Sequence, residues 1–229
     1  MKIIFLGFDF FSNCLDDLIA AGHQVVKIYC FKGNEYNFST QIQAIAKKHN
    51  ISLTFDRPKL EELKNAFQKE GAEILVSAAY PYRIPVANEG WFRGVNVHPT
   101  LLPDGRGPWP LPWLILKHRR KAGITLHKIA ASFDTGDILL KKKIKLTRAD
   151  DLEILSAKCR LEASSALLHL LDSKNFEKLW KKAAPQGKGS YWPMPTETEQ
   201  TIQWDWPVKK IGLYLRAYGF FGCGRRCCG

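Results

Sequence analysis

The sequence has no apolar run near the roughly 18 residues that a bilayer-spanning helix needs, which excludes a transmembrane segment. Its N-terminus, Met1-Lys-Ile-Ile-Phe-Leu-Gly-Phe-Asp9, meets an acid too early for a signal peptide and reads as the first strand of a mature cytoplasmic protein. A disulfide framework is also missing. Cys14, Cys30 and Cys159 stand singly in apolar or amphipathic stretches, where a reduced thiol behaves as a small hydrophobe. Cys223, Cys227 and Cys228 crowd into the last seven residues. They lack the paired C-x-x-C spacing or neighbouring histidines of a zinc site and read as a frayed terminus. Neither a Gly-x-Ser-x-Gly elbow nor a Gly-x-Gly-x-x-Gly loop occurs, and there is no internal repeat or low-complexity segment.

Acidic residues are scarce relative to basic ones: 22 Asp+Glu stand against 34 Lys+Arg, a formal net charge of +12. Such a field attracts an anionic partner. The cations are scattered in small groups, His118-Arg-Arg-Lys121, Lys141-Lys-Lys143, Lys181-Lys182, Lys209-Lys210 and Arg225-Arg226. With no zinc finger, RNP motif or long basic helix, RNA and a small polyanion fit equally well. The run from Lys141 to Lys145 lies in a strand-like stretch, where lysines protect a sheet edge. At 229 residues, 45% hydrophobic and 24% charged, the chain is an ordinary globular domain with a short accessory segment.

Apolar runs at 2–7, 24–31, 51–55, 73–79 and 94–98 read as strands, and periodic stretches at 11–21, 39–50 and 58–69 read as helices. Ser39 is placed to cap the second helix and Pro58 to open the third. This alternation specifies βαβ units and a doubly wound, mostly parallel α/β sheet. After residue 120 two further strands, 123–131 and 137–146, flank the turn Phe133-Asp-Thr-Gly136, where Gly136 is expected to supply the positive φ. Thr147 with Asp150 resembles a capping box before a long amphipathic helix at 151–171. From Pro185 the sequence is rich in Gly, Pro and Trp and is expected to wrap the domain, giving a division into 1–184 and 185–229.

Ligands of open α/β sheets gather at the carboxyl ends of strands. There the fifth strand carries Asn96 and His98, two apart and therefore on one face, with Pro99 holding His98 extended. An amide beside an imidazole can stabilise an oxyanion and move a proton. Asn-x-His alone also suits a satisfied structural histidine, and Asp134-Thr-Gly-Asp137 alone suits a hairpin turn. An aspartate brought next to an imidazole would orient it and favour its protonated form.

Taken together, Asn96-x-His98-Pro-Thr-Leu-Leu-Pro103, Arg106-Gly107, Gly123-Ile-Thr-Leu-His127 and Asp134-Thr-Gly-Asp137-Ile-Leu139 closely resemble the folate-dependent formyltransferase family, over roughly residues 1 to 180. The resemblance implies a Rossmann-like formyltransferase fold, a catalytic trio of Asn96, His98 and Asp134, N10-formyltetrahydrofolate as donor, an amine as nucleophile, and no metal. It places the pterin ring against backbone of the loop Tyr80-Pro-Tyr82-Arg-Ile84-Pro85 and of the loop before Asp134, making Tyr82, Ile84 and Asp137 the donor-binding candidates. Tyr80 and Tyr82 suit a simple cover over the sheet end as well.

Departures from the family narrow the acceptor. Gly7-Phe-Asp-Phe-Phe-Ser-Asn13 replaces the Gly-x-Gly-Ser-Asn phosphate loop of the glycinamide ribonucleotide enzyme. The regulatory domain of the deformylating relatives is expected to be lacking. The roughly forty residues from Gly187 are too few for the C-terminal domain of the tRNA enzyme. The sequence thus looks most like a bacterial sugar N-formyltransferase of surface polysaccharide synthesis, with a nucleotide-linked amino sugar as partner. The first expectation is dTDP-4-amino-4,6-dideoxyglucose, with no specific nucleic acid and no membrane. Arg106 and Trp109 are the acceptor-binding candidates, although Arg106 equally suits a plain surface position and Asp104 departs from the family's basic residue. Ser190-Tyr-Trp-Pro-Met-Pro-Thr196 resembles the family's Tyr-x-Pro-x-Pro segment, and its aromatics suit either stacking on a base or packing of the tail. A minimal methionyl-tRNA formyltransferase and a non-catalytic folate binder are the alternatives, and the oligomeric state stays open between monomer and homodimer.

Overall fold

The computed structural model describes residues 1–33, 38–85, 90–117, 121–172 and 174–219. The basic group at 118–120, part of the polar segment at 32–38 and the cysteine-rich ending fall outside them wholly or in part.

Strand β1, Lys2–Gly7, shows why the sheet is buried on both sides: Ile3 and Phe5 enter one core cluster, Ile4 and Leu6 the other. Two buried faces are what a parallel strand needs. β2 (Gln24–Cys30) and β4 (Ile74–Ala78) pair parallel to β1 on either side, followed outward by β3 (Ser52–Thr54) and β5 (Gly94–His98). β6 (Lys121–Lys128) and β7 (Ile138–Lys145) then add antiparallel, giving the order β3-β2-β1-β4-β5-β6-β7. The chain reverses its direction of build-up between β1 and β4, the switch point where loops at the carboxyl ends part and leave a crevice. On the edge strand β7, Lys141, Lys143 and Lys145 are exposed, which discourages pairing with another chain.

One face is covered by α1 (Ser12–Ala20), α2 (Thr40–Lys48), α4 (Pro110–Leu116), α5 (Leu152–Leu171) and the tail helix α8 (Val208–Tyr218). The other face is covered by α3 (Leu60–Gln68), through Leu63 and Ala66. Two short helices, α6 (Phe176–Lys181) and α7 (Glu197–Gln200), and a 3-10 turn at Asp9–Phe11 complete the described elements. Helix α4 was not legible because its sequence, Pro-Leu-Pro-Trp-Leu-Ile-Leu, reads as a loop; its prolines sit in the first turn, where no intrahelical N–H bond is lost.

Helix starts differ from expectation. Ser39 occupies the cap position of α2, but its side chain bonds Gln43 instead. The free N–H groups of Gln41 and Ile42 donate to the Asp9 carboxylate at 3.1 and 3.0 Å, and the Thr40 hydroxyl joins them at 3.0 Å. An anion from the β1 loop satisfies the helix end in place of the local hydroxyl. At α5 the cap is Asp151, which accepts from Ile154 N at 2.8 Å, rather than Thr147. The expected back-bond does form, from Thr147 N to Asp150 at 2.8 Å, one step before the helix.

Candidate active site

The carboxyl end of β5 sits between β4 and β6, so Asn96 has a cross-strand neighbour on each side: Ser77 in parallel register and His127 in antiparallel register. Ser77 Oγ donates to Asn96 Oδ1 at 2.7 Å, which fixes the amide and turns Nδ2 inward. There Nδ2 lies 3.1 Å from His127 Nε2 and 3.5 Å from Asp134 Oδ1. His127 Nδ1 donates to its neighbour's carbonyl, Lys128 O, at 2.8 Å. Its Nε2 accepts a hydrogen bond from Asn96 Nδ2 in that tautomer, and lies 3.7 Å from Asp134 Oδ1.

His98 closes the strand and is 4% exposed. Its Nε2 meets Gly105 O at 2.8 Å and its Nδ1 lies 3.3 Å from Asp134 Oδ1. Both ring nitrogens face acceptors, an arrangement satisfied by a ring with a proton on each. The loop between them is held by Thr125 Oγ1, which donates to Thr100 O at 2.7 Å and accepts from Leu102 N at 3.0 Å.

Asp134 stands in the left-handed region, φ 56°, a conformation aspartate tolerates better than most residues. The positive φ of this turn therefore belongs to Asp134, and Gly136 is needed for a different reason: a Cβ there would collide with the Lys128 carbonyl. Asp134 Oδ2 accepts from Gly107 N at 3.0 Å, from a glycine that itself has φ 128°. Burial pushes the Asp134 carboxyl up. The charge of His98, then hydrogen bonds from His127, His98 and the Gly107 N–H, outweigh that and hold it well below the usual carboxylate range. Asp134 is thus a fixed anion, an anchor for cations and donors rather than a proton carrier.

Asn96 and His98, two apart on β5, meet the distant Asp134 in one cluster, in which His98 and Asp134 are buried and Asn96 is half-buried. The other expected residues lie elsewhere or at its margin. Arg106 turns its guanidinium to Gln186 Oε1, at 3.2 and 2.9 Å, and to Gly187 O at 3.3 Å. Trp109 packs against Tyr218 of α8, ring centroids 6.0 Å apart. Asp137 pairs with Lys128 at 3.4 Å. Tyr82, in the loop after β4, lies edge-on to Tyr80 and Phe31 with the Arg57 guanidinium 3.9 Å from its ring centroid, and Ile84 packs with the same cluster. The buried Tyr80 hydroxyl has no hydrogen-bond partner among the described residues, and burial pushes it up to about 12.

Three contributors were not singled out from the sequence. His127 could have been found, since it stands in a quoted motif on the strand that follows. Ser77 and Gln186 carry no local signal and are identified only by strand order and by the fold of the tail. A cavity of about 520 Å³ lies at the opposite end of the sheet, lined by Met1, Phe67, Trp91, Arg93, Phe176 and Glu177. Met1 and Arg93 precede strands, whereas His98 is the last residue of β5. Among the described residues no group of three His, Cys, Asp or Glu could hold a metal ion, and no helix is long and apolar enough to cross a membrane.

Residues 1–171 match the family model described as Formyl transferase. Methionyl-tRNA formyltransferase of Sulfurihydrogenibium sp. is 28% identical over 228 residues, which cover 95% of this chain and 73% of that protein. Among solved structures, WlaRD, a sugar 3N-formyl transferase in the presence of dTDP and 5-N-formyl-THF, superposes with a TM-score of 0.70 at 19% identity, over 95% of this chain and 79% of its own. HypX from Aquifex aeolicus gives a TM-score of 0.69 at 20% identity over 95% of this chain, which spans 35% of the HypX chain. At these identities the structural likeness speaks for the fold.

Proposed function

Because the chain belongs to the formyl transferase family, we propose that it moves a formyl group from N10-formyltetrahydrofolate to the amine of a nucleotide-linked amino sugar, with dTDP-4-amino-4,6-dideoxyglucose as the first acceptor to try. The observation that carries this reading is the Asn96–His98–Asp134 cluster, with His98 and Asp134 buried, at the carboxyl end of β5. In the reaction the amine forms a bond to the formyl carbon, the carbonyl oxygen gains negative charge, and the bond from carbon to the donor nitrogen then breaks. Asn96 Nδ2 and a protonated His98 supply the donors for that oxygen. The amine's proton leaves through water beside Asp134, or through His98 once it has passed its own proton to the oxyanion, and one proton reaches the departing nitrogen. Asp134, held ionised, keeps His98 oriented and compensates its charge.

The donor is expected beside the loop after β4. Half-buried Tyr82 and Ile84 offer a flat apolar wall, the unpartnered Tyr80 hydroxyl can bond a heteroaromatic ring, and Arg57 suits an anionic tail. Residues 1–184 then form the catalytic unit, with 185–229 as its accessory, in a cytoplasmic protein. The sugar reading is favoured by the β1 loop. Asp9 puts a carboxylate in the loop after β1, where the glycinamide ribonucleotide enzyme carries its phosphate loop, and this disfavours a ribonucleotide acceptor held there. The identity to methionyl-tRNA formyltransferases and the +12 charge favour the second reading, a tRNA acceptor.

Incubation of the purified protein with the formyl donor, a panel of nucleotide-linked 3- and 4-amino sugars and methionyl-tRNA, read by mass spectrometry, separates the two. Formylation of one sugar supports the proposal. Formylated methionyl-tRNA with untouched sugars replaces it, and a folded protein that formylates nothing while binding folate leaves the non-catalytic reading.

A further inference from the structure

We infer that Gln186, in the tail, is a positioning residue that fixes Asp134 and couples it to the loop after β5. This rests on the assignment of Asp134 to the reacting site. All four hydrogen bonds of the Gln186 amide run between the two loops that build that site. Its Nε2 donates to Asp134 O at 2.9 Å and to Gly136 O at 2.7 Å. Its Oε1 accepts from Arg106 Nε at 3.2 Å and Nη2 at 2.9 Å. The amide is brought there by the pairing of Ala184 with Ile138, at 2.8 and 3.0 Å, which lays the tail alongside the start of β7. Beyond it, Ser190 O accepts from Gly105 N and Arg106 N, and Trp192 N donates to Arg106 O at 2.7 Å.

The consequence is mechanical. Asp134 holds a left-handed backbone that persists only when its surroundings over-determine it. Its side chain is fixed by Gly107 N and its main chain by Gln186, while Arg106, next to Gly107, is fixed by the same glutamine. His98 reads the result, because its two nitrogens touch one group from each loop, Asp134 and Gly105. The guanidinium of Arg106 thereby serves as the far jaw of this clasp. A carboxylate at 186 would keep the Arg106 partner but lose both donors, setting an anion against two carbonyl oxygens.

The test uses Gln186→Ala and Gln186→Glu in the full chain, with two readouts. In the absence of any substrate, the ring 15N resonances of His98 are expected to move in both variants while those of His49 and His169 stay in place. With the acceptor found in the panel, kcat is expected to fall by about tenfold or more, since misplacement of reacting groups by about 1 Å costs up to ~100-fold, with the donor KM within about twofold. Gln186 is half-buried at the surface, so Tm is expected to shift by no more than about 2 °C. A merely structural role would instead lower Tm and leave the kcat of the folded fraction intact. Unmoved His98 resonances in either folded variant, or unchanged kcat, would overturn the inference. If the wild type transfers no formyl group, the functional proposal fails, and the resonances still decide whether Gln186 sets the geometry of His98.

Discussion

Asp134 and Asp150 are both buried carboxylates, both held below their ordinary range against the push of burial, yet their surroundings differ in kind. Asp150 takes Thr147 N at 2.8 Å and Lys158 Nζ at 2.7 Å, and its carbonyl takes Arg216 Nε and Nη2 at 3.0 and 2.7 Å. Those partners are a backbone amide and permanent cations, and together they pin the entrance of α5 to the tail helix. Asp134 is met by two imidazoles, a carboxamide and a glycine N–H, on a left-handed backbone at the carboxyl edge of the sheet. Burial and a depressed carboxyl therefore do not mark chemistry by themselves. The presence of proton-transferring partners does.

Point substitutions can break or sharpen that contrast. His98→Ala is expected to cut turnover at least ~100-fold while donor binding survives, measured by steady-state kinetics beside equilibrium donor titration. Asp134→Asn is expected to remove most activity, on the order of ~100-fold, because the imidazole loses its charged anchor, whereas Asp150→Asn should leave kcat within about twofold. If both aspartate variants lost activity equally, the distinction would collapse. Calorimetry reads the structural share of Asp150: Asp150→Asn is expected to cost about 2 kcal/mol, for a hydrogen-bonded charge whose Lys158 partner is partly solvated, and so to lower Tm by about 4–8 °C.

Acid sensitivity follows the same carboxylates. Each has a folded value below its unfolded one, so each contributes stability that is fully present above the unfolded value of about 3.9 and is lost as pH falls through that value towards the folded one. Denaturant unfolding between pH 7 and pH 3 should therefore show a shallower loss for Asp150→Asn than for wild type. An unchanged slope would mean that Lys158 and Thr147 do not stabilise the ionised form. The smallest expected effect is that of Ser77→Ala, which frees the Asn96 amide to rotate and should lower turnover about fivefold, the equivalent of one hydrogen bond of about 1 kcal/mol. No loss at all would show that β-strand packing alone fixes Asn96.

The parts of the molecule legible in the sequence are those set by local pattern. β1 and β5 fall at the expected bounds because their apolar residues are continuous and bordered by glycine, proline or helix signals. The meeting of Asn96, His98 and Asp134 was implied by the resemblance to the formyltransferase family, not by local pattern. What was hidden depends on contacts between distant segments. Asp9 outcompetes Ser39 at α2 across about thirty residues of sequence, Gln186 reaches Asp134 across fifty-two, and the tail helix α8 packs on α4 through Tyr218 and Trp109. Side-chain direction was equally hidden: nothing in Arg106-Gly107-Pro-Trp109 says that the arginine turns to the tail. Gly136 was assigned the positive φ by residue type, whereas the loop uses that glycine for close approach and lets Asp134 carry the left-handed turn.

The most direct measurement is single-turnover formyl transfer with donor saturating, comparing wild type with His98→Ala after both are shown to bind the donor equally. A rate at least ~100-fold lower in the variant is expected if His98, held by Asp134, acts on the reacting atoms. A folded, donor-saturated His98→Ala that transfers within about twofold of the wild-type rate would contradict the assignment of this cluster as the catalytic centre.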